Sequence, residues 1–480
     1  MRALALVLLP VVALGVATGI ALSGEKPRAI HPDELTFEPL HFEVTEPERI
    51  ELPNGMVLYF LEDRELPLVD MTIWFRSGAV YEPAGKEGLA ALTSVYARNG
   101  GAGERNRMAF DEEVEFLAAS IEVGISDEHG EAGLSVMKKD LDRGLSLLAD
   151  LLRRPAFDPM ILPLIKQSFV TNLRRRGDSP AGALAEAFPP LVYPDHPYGR
   201  VPTEESILSI TREDCVAFWT KYLQPDSMIV GVAGDVSKEE IVGKLAEVFG
   251  DWKAEKVEYP PVPKLERTYD PAVVLIPRPE TQSTVTMAHR AVKRTDPDRV
   301  TLDVMNLILG GGGFSSRLTE IVRVREGLAY SVYSMVTRKI DLGLWQASVQ
   351  TKGETTWKAI GLILDEMRRI REEPVSDEEL RLAKESLLNG MVFNVAQPFG
   401  VVDQYVSLEY LGYPRDWMKT FEKRIAAVTK EDIQRVAKEY LRPDGLTIVI
   451  AGNPETFDAR PEGIAEPTVL GATETKDETE

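Results

Sequence analysis

Residues 210–234 read "ITREDCVAFWTKYLQPDSMIVGVAG", and residues 428–452 read "VTKEDIQRVAKEYLRPDGLTIVIAG". The two segments align without a gap and share Thr, Glu, Asp, Tyr, Leu, Pro, Asp, Ala and Gly at matching positions. In each copy a threonine, Thr211 or Thr429, stands where it can cap a helix that ends near Tyr-Leu. Pro-Asp then turns the chain into a β-branched strand that closes on Ala-Gly. The chain therefore contains an internal repeat.

A second pair of segments supports the repeat. "RRPAFD" (153–158) and "EEPVSD" (372–377) occur in the same order and at nearly the same separation. In the later copy Ser376 and Glu379 have the spacing of a capping box, which predicts the start of a helix. We therefore predict an α+β fold of two homologous repeats, each with an antiparallel or mixed sheet covered by helices.

The composition places the boundaries of these repeats. We expect an N-terminal half at 45–255 and a C-terminal half at 272–458. The intervening residues 256–271 are rich in proline and charge, as is typical of an exposed linker. Residues 460–480 are acidic and contain few large apolar side chains, so we expect a disordered tail.

The overall charge and the cysteine count exclude several functions. The 480 residues carry a formal net charge of -21 at pH 7, which disfavours binding to nucleic acid. The single cysteine, Cys215, excludes an intrachain disulfide and a thiolate metal cage. Its apolar surroundings in the sequence predict a buried structural residue.

The N-terminus predicts export. Arg2 is followed by a long uncharged apolar run, so we interpret residues 1–23 as a signal peptide, cleaved after Ala21-Leu22-Ser23. The run is also close to the length that spans a bilayer, so an uncleaved membrane tether through residues 3–23 is the alternative. Either interpretation predicts a periplasmic or otherwise extracytoplasmic protein.

Three separate motifs carry a family resemblance. They are "LPNGMVLYFLEDRELPLVDMTIWFRSGAVYEPAGKEGLA" (52–90), "HPYGRVPTEESI" (196–207) and "GGGGFSSRLTEIVRVREGLAYSVYS" (310–334). In this order they resemble the insulinase/pitrilysin-like zinc peptidases, and in particular the compact bacterial and mitochondrial-processing type. The resemblance runs over nearly the whole mature chain and implies the LuxS/insulinase-like metallopeptidase fold.

The resemblance also shows which residues are missing. In that family the helix after Gly-Leu-Ala carries His-x-x-Glu-His, whose histidines bind zinc and whose glutamate is the general base. Those positions correspond here to Ala91, Ser94 and Val95, and a later glutamate ligand corresponds to a position near Asn172. Alanine and valine have no lone pair for a metal. We therefore expect packing residues at these positions, no metal or other cofactor in this chain, and no peptide hydrolysis by the chain alone.

The histidines do not replace the lost ligands. None of them forms an i, i+3 or i, i+4 pair with another. We predict that His129, in "SDEHGE", lies in a solvated turn and that His196 is structural. The five histidines are His31, His41, His129, His196 and His289.

The second half keeps a different part of the family's site. The resemblance implies that Arg323 and Tyr330 hold substrate and stabilise the developing oxyanion, a role that a guanidinium and a phenol suit. It further implies that Gly310, Gly311, Gly312 and Gly313 form a glycine-rich, substrate-binding loop. The alternative for these glycines is a simple C-terminal helix turn.

These features predict a non-catalytic subunit of a heterodimeric zinc peptidase. The partner would be a zinc-bearing chain with His-x-x-Glu-His, and the substrates would be unfolded peptides that bind by adding a strand to a sheet. The alternative is a structural or peptide-binding homologue without proteolytic function, comparable to the core proteins of respiratory cytochrome complexes. A hydrolase that uses Ser94 or Ser315 has no supporting Ser-His-acid order.

Overall fold

The computed structural model describes residues 44–470, so the predicted signal peptide and residues 471–480 lie outside the described part. The first half contains these elements: β1 (Glu48–Glu51), β2 (Val57–Glu62), β3 (Leu68–Phe75), α1 (Leu89–Asn99), α2 (Arg107–Phe116), β4 (Ser120–Ile125), β5 (Gly130–Met137), α3 (Leu141–Arg153), α4 (Leu162–Arg176), α5 (Pro180–Val192), α6 (Glu204–Ser209), α7 (Arg212–Tyr222), β6 (Ile229–Gly234) and α8 (Lys238–Phe249).

The second half repeats this order with small changes. Its elements are β7 (Ala272–Pro277), β8 (Gln282–Arg290), α9 (Arg299–Asn306), β9 (Ala329–Val336), β10 (Leu344–Lys352), α10 (Thr356–Glu372), α11 (Asp377–Asn394), α12 (Pro398–Tyr410), α13 (Trp417–Ala427), α14 (Lys430–Tyr440), β11 (Thr447–Gly452) and β12 (Pro467–Val469). Two π-helical segments, Leu307–Gly311 and Thr319–Arg325, follow α9.

Each half builds one six-stranded mixed sheet. The first sheet has the order β1-β2-β6-β3-β5-β4 and the second has the order β12-β7-β11-β8-β10-β9. The matching pairs also run in the same sense, since β2–β6 and β7–β11 are parallel whereas β6–β3 and β11–β8 are antiparallel. The predicted fold class, two homologous α+β repeats with helix-covered sheets, is confirmed.

The local signals behind that prediction are present as hydrogen bonds. The Thr211 hydroxyl accepts from the Asp214 N–H at 3.1 Å, and the Thr429 hydroxyl accepts from the Asp432 N–H at 3.1 Å. The capping box predicted for Ser376 opens α11. Each threonine-capped helix leads into one of the two central strands of its sheet, β6 or β11. Cys215 on α7 is buried as predicted.

The two halves exchange a helix. α5 belongs to the first half, yet its Leu184, Phe188 and Val192 join a core cluster with Ala288 and Val449 of the second sheet. The helix of the second half that corresponds to α5 is α12. It packs against β2, β3 and β6 of the first sheet. Each sheet is therefore covered on one face by a helix from the other half.

A glycine permits the close approach of α12. Gly231 lies in β6, and a Cβ atom there would stand 2.6 Å from the Val402 side chain and 2.9 Å from that of Val406. These distances are shorter than any ordinary carbon–carbon contact, so the bare backbone of Gly231 sets how deeply α12 seats on the sheet. Both valines are fully buried there.

The connecting and terminal segments are both held by hydrogen bonds that their backbone groups make. Residues 256–271 contain no helix or strand, but the Leu265 N–H donates to the Asp341 carboxylate at 2.6 Å. The expected disorder from residue 460 onward is wrong for Pro467–Val469, which pairs in parallel with β7. The reason is that pairing at a sheet edge uses backbone groups and needs few apolar side chains.

Within residues 44–470 no helix is long and apolar enough to cross a membrane.

Candidate functional site

Helix α1 is the segment that, by the resemblance, corresponds to the family's zinc helix. It follows Gly88, whose φ of +94° suits glycine, and the Glu82 carboxylate accepts hydrogen bonds from the N–H groups of Gly88 (3.0 Å) and Ala90 (2.7 Å). Two unpaired N–H groups at the start of the helix are thereby satisfied. Burial raises the pKa of Glu82 to about 7, although both N–H groups favour its charged form.

The positions of the two missing histidines lie on an open face of α1. Ala91 is exposed and Val95 is 36% exposed, whereas Leu92 and Tyr96 are fully buried. The expectation that Ala91 and Val95 had become packing residues is therefore wrong. A helix that presents a metal must turn its ligands away from the core, and Ala91 and Val95 hold that orientation although neither side chain can bind a metal.

The remaining positions also lack a metal-binding or basic group. Ser94 is buried, and its hydroxyl donates to the Ala91 carbonyl at 2.9 Å, so it is engaged within its own helix. Asn172 is exposed on α4, which packs against α1, and it offers only a neutral amide. Two hydrocarbons, an engaged hydroxyl and an amide do not fit a zinc ion, which requires imidazole, thiolate or carboxylate ligands.

No other metal cluster is formed in residues 44–470, where no group of three or more His, Cys, Asp or Glu residues could hold a metal ion. His129 is half-buried and its ring stacks on Trp74 at 4.2 Å between centroids, so the predicted solvated turn is wrong. Burial lowers the pKa of His129. His196 is structural as predicted: its Nδ1 accepts from the Tyr198 N–H (3.1 Å) and its Nε2 donates to the Pro263 carbonyl (3.0 Å). His31 and His41 lie outside the described residues.

Arg323 and Tyr330 come together at the edge of the second sheet. Arg323 lies in the last turn of the π-helix Thr319–Arg325, Gly327 turns the chain with a φ of +63°, and Tyr330 follows on β9. The Arg323 Cζ lies 4.9 Å from the centroid of the Tyr330 ring. The register between β9 and β10 shifts at Tyr330, because Gln350 pairs with Ser331 whereas Thr351 pairs with Ala329. This bulge leaves Tyr330 unpaired and re-aims its side chain.

Both side chains are available to a ligand. Tyr330 is 82% exposed, and within the described residues Arg323 makes no hydrogen bond or ion pair. Other arginines on this segment are engaged, since Arg317 donates to Glu379 at 2.6 Å and Arg325 to Glu320 at 3.0 Å. A guanidinium without a carboxylate partner, beside an exposed phenol, can donate several hydrogen bonds to an oxyanion or a peptide carbonyl.

The four glycines do not form one uniform loop. Gly310 is buried, and a Cβ atom there would stand 2.5 Å from the Ser334 hydroxyl on β9. Its predicted role in substrate binding does not fit this position, because the residue serves the close packing of helix against strand. Gly311, Gly312 and Gly313 reach the surface, and Gly313 adopts a φ of +59°.

Sequence reasoning did not single out Phe314. This residue follows the glycines, is 71% exposed, and places its ring 4.6 Å from the Cζ of Arg323. The signal available in the sequence was a large aromatic residue directly after four glycines, where a small or polar residue is usual for a turn.

Comparison with known proteins extends these observations. A family model described as "Peptidase M16 inactive domain" matches residues 209–387, a range that contains Arg323 and Tyr330. An uncharacterized zinc protease of Mycobacterium leprae is 27% identical over 295 residues, which cover 61% of this chain and 66% of that protein. The chain thus spans about two thirds of the first curated relatives.

Two further proteins are similar over more of their length. The "Non-peptidase homolog YmxG" of Helicobacter pylori is 25% identical over 415 residues, which cover 82% of this chain and 90% of that protein. The crystal structure of a peptidase M16 inactive domain from Pseudomonas fluorescens superposes with a TM-score of 0.80 at 24% identity, and covers 87% of this chain and all of that one. Residues 209–387 therefore match the peptidase M16 inactive domain, and the chain is similar over most of its length to a non-peptidase homologue; the positions that correspond to His-x-x-Glu-His hold alanine, serine and valine.

Proposed function

We propose that this chain is the non-catalytic subunit of a two-chain M16 peptidase and supplies Arg323 and Tyr330 to a zinc-bearing partner. The partner contributes the zinc ion and the general base, and the two chains act together on unfolded peptides. The observation that carries this proposal is a contrast between two parts of the chain. Helix α1 has no metal ligand or base, whereas Tyr330 is 82% exposed and the half-buried Arg323 makes no hydrogen bond or ion pair among the described residues.

The chemistry of the pair suits a role in trans. Peptide-bond cleavage at a metal develops negative charge on the former carbonyl oxygen, and donors aimed at that oxygen lower the barrier. Within residues 44–470 no group of three or more His, Cys, Asp or Glu residues could hold such a metal, and in the proposed complex the donors serve a bond held by the other chain. A solvent-facing arginine that already had an internal carboxylate partner would be a poor donor, and Arg323 has none among the described residues.

The location follows from the N-terminus and stays part of the proposal. The apolar run after Arg2 directs the chain out of the cytoplasm, either as a cleaved signal or as a tether through residues 3–23. The zinc-bearing partner is therefore an exported M16 chain of similar size. Peptides that reach this compartment unfolded are the substrate class.

The test begins with the natural complex. The tagged chain is recovered from the native envelope fraction, and the recovered complex is analysed for zinc and for a chain with His-x-x-Glu-His. The two purified chains are then mixed and the cleavage of an unfolded peptide is followed. We expect Arg323→Ala to lower kcat/KM of the mixture by about 100-fold, and Tyr330→Phe by about 10-fold or more, as for lost oxyanion donors.

A neighbouring arginine supplies the control. Arg325 lies on the same π-helix, is exposed, and pairs with Glu320. Arg325→Ala removes the same charge a short distance away, and we expect it to leave the rate of the mixture within about twofold, as for an exposed ion pair. Unchanged cleavage by the Arg323→Ala and Tyr330→Phe mixtures would refute the proposed division of labour.

The similarity to a protein named as a non-peptidase homologue favours a second candidate. In that case the chain binds peptides or another protein without any part in proteolysis. A stable homodimer from the envelope fraction, with neither zinc nor a His-x-x-Glu-His chain, would support this alternative over the first.

A further inference from the structure

We propose that Phe314 is a positioning residue for Arg323, and that the glycine segment of this chain acts by holding Phe314 over the guanidinium. This inference rests on the proposed function, since it explains how Arg323 is prepared for an acceptor oxygen of the peptide. It starts from an unusual arrangement in which Arg323 lies against two exposed aromatic rings, with its Cζ at 4.6 Å from the Phe314 centroid and 4.9 Å from that of Tyr330.

The position of Phe314 is built by the backbone on both sides of it. The Ser315 hydroxyl donates to the Gly312 carbonyl at 2.9 Å, and the Ser316 hydroxyl donates to the Gly313 carbonyl at 2.7 Å. Gly313 holds a φ of +59°, a left-handed conformation that costs glycine little. The serines therefore fix a turn that glycine makes accessible, and Phe314 stands in that turn.

A chain of hydroxyl groups ties the three segments together. Ser316 is fully buried and its hydroxyl lies 3.1 Å from that of Thr319, the first residue of the π-helix that carries Arg323. The Thr319 hydroxyl also reaches the Val332 carbonyl of β9 at 3.4 Å. The turn with Phe314, the helix with Arg323 and the strand with Tyr330 are thus linked by hydrogen bonds behind the surface.

This arrangement changes what the guanidinium can do. Arg323 is half-buried and has no hydrogen bond or ion pair among the described residues, so its side chain keeps rotamer freedom that it loses when it binds a ligand. Aromatic rings over a guanidinium attract it through the ring quadrupole and exclude water from its faces, while its N–H groups stay free at its edge. Phe314 therefore lowers the ordering cost for Arg323 and directs acceptor oxygens of the peptide to approach in the guanidinium plane.

The stacking itself can be measured in the isolated chain. With 15N-labelled arginine, the Nε–Hε signal of Arg323 is assigned from its disappearance in Arg323→Lys. We expect an upfield ring-current position for this proton, a downfield shift in Phe314→Ala, and retention of the upfield position in Phe314→Trp. An Arg323 Nε–Hε signal that does not move in Phe314→Ala overturns the inference, whatever the kinetics show.

The kinetic test is a double-mutant cycle in the mixture with the zinc-bearing partner. We expect Phe314→Ala to lower kcat/KM by about two- to fivefold, the range of an exposed cation–π contact, and Phe314→Trp to restore it. In the Arg323→Ala background the same Phe314→Ala change should have no further effect. Equal losses in both backgrounds would mean that Phe314 acts independently of Arg323, and would overturn the inference.

The outcomes separate this inference from the proposed function. If Arg323→Ala leaves cleavage unchanged, the proposed function fails. If Arg323→Ala lowers cleavage but Phe314→Ala does not, only the role of Phe314 fails. Phe116→Ala is the matched control, because Phe116 is 78% exposed and also lies over an arginine, Arg143, which already pairs with Glu113 at 3.0 Å.

Discussion

The guanidinium of Arg49 on β1 donates two hydrogen bonds, of 2.9 and 2.8 Å, to the carboxylate of Glu409 on α12. The phenol of Tyr59 on β2 donates to the same carboxylate. Burial opposes the charge on Glu409, yet the donors Arg49 and Tyr59 hold its pKa below the ordinary value. The exchanged helix α12 is thus attached to the first half by a carboxylate with three donor contacts.

We expect Glu409→Ala to lower the free energy of unfolding by about 1 to 3 kcal/mol, because it leaves the buried Tyr59 and the half-buried Arg49 without this acceptor. Urea denaturation at pH 7 measures the change. Glu62→Ala breaks an ion pair with Arg64 in which both side chains are exposed, and should cost less than about 0.5 kcal/mol. Equal effects of the two substitutions would contradict the importance of the Arg49–Glu409 contact.

The raised pKa of Glu82 predicts that the folded protein loses stability as the pH rises. The pKa of Glu82 in the folded chain is about 7, above the ordinary value of 4.5, so the folded state binds this proton more tightly than the unfolded state. The free energy of unfolding should therefore fall between about pH 5 and 7, with a slope of at most about 1.4 kcal/mol per pH unit. Glu82→Gln removes the titration, and urea midpoints at pH 5, 6 and 7 should then vary less. Parallel profiles for the two proteins would refute this assignment.

The lowered pKa of His289 predicts the opposite trend: the folded protein loses stability as the pH falls. The ring is buried, its Nδ1 donates to the Arg290 carbonyl at 3.1 Å, and its Nε2 accepts from the Arg442 N–H at 3.2 Å. Burial lowers its pKa to about 4, so its contribution is complete above about pH 6.5 and is lost as the pH falls through 4.

Proton NMR tests this value directly, with the His289 ring signals assigned from their absence in His289→Gln. We expect these signals to stay at their neutral positions from pH 8 to pH 5. A midpoint near 6.5 would show that the ring is accessible to protons and that the described contacts do not hold it neutral.

The open face of α1 predicts that a zinc site can be restored. Ala91→His with Val95→His places two imidazoles four residues apart on an exposed helix face, and Asn172→Glu adds a carboxylate from the adjacent α4. We expect the triple variant to bind one zinc ion per chain by calorimetry, the double variant to bind more weakly, and Val95→His alone to bind none. A triple variant without zinc binding would place α4 too far from α1. Cleavage is not expected in any of them, because Ser94 is not a base.

The sequence predicted the repeat because its signals are local. Thr211 and Thr429 cap helices through hydrogen bonds to residues three positions away, and these bonds form as the spacing indicates. The exchange of α5 and α12 was not predicted, because it depends on contacts between residues that lie far apart in the chain. The burial of Val95 was predicted wrongly for a related reason: an apolar side chain indicates a tendency to be buried, not the presence of a neighbour that buries it.

The site was predicted in part for the same reasons. The resemblance placed Arg323 near Tyr330, and the structure brings their side chains into contact. The position of the Phe314 ring over Arg323 depends on the left-handed turn at Gly313 and on the π-helix Thr319–Arg325 that carries Arg323. Neither feature has a reliable signature in a single sequence.

The interchange of α5 and α12 bears on how the polypeptide can be divided. A protease that nicks the connector at 256–271 should leave two fragments that stay associated, since each retains a helix seated in the other's interior. Truncated genes for one fragment should yield insoluble product, whereas simultaneous expression of both should yield an assembled protein. The ancestral duplication thus produced two structural units that are no longer separable.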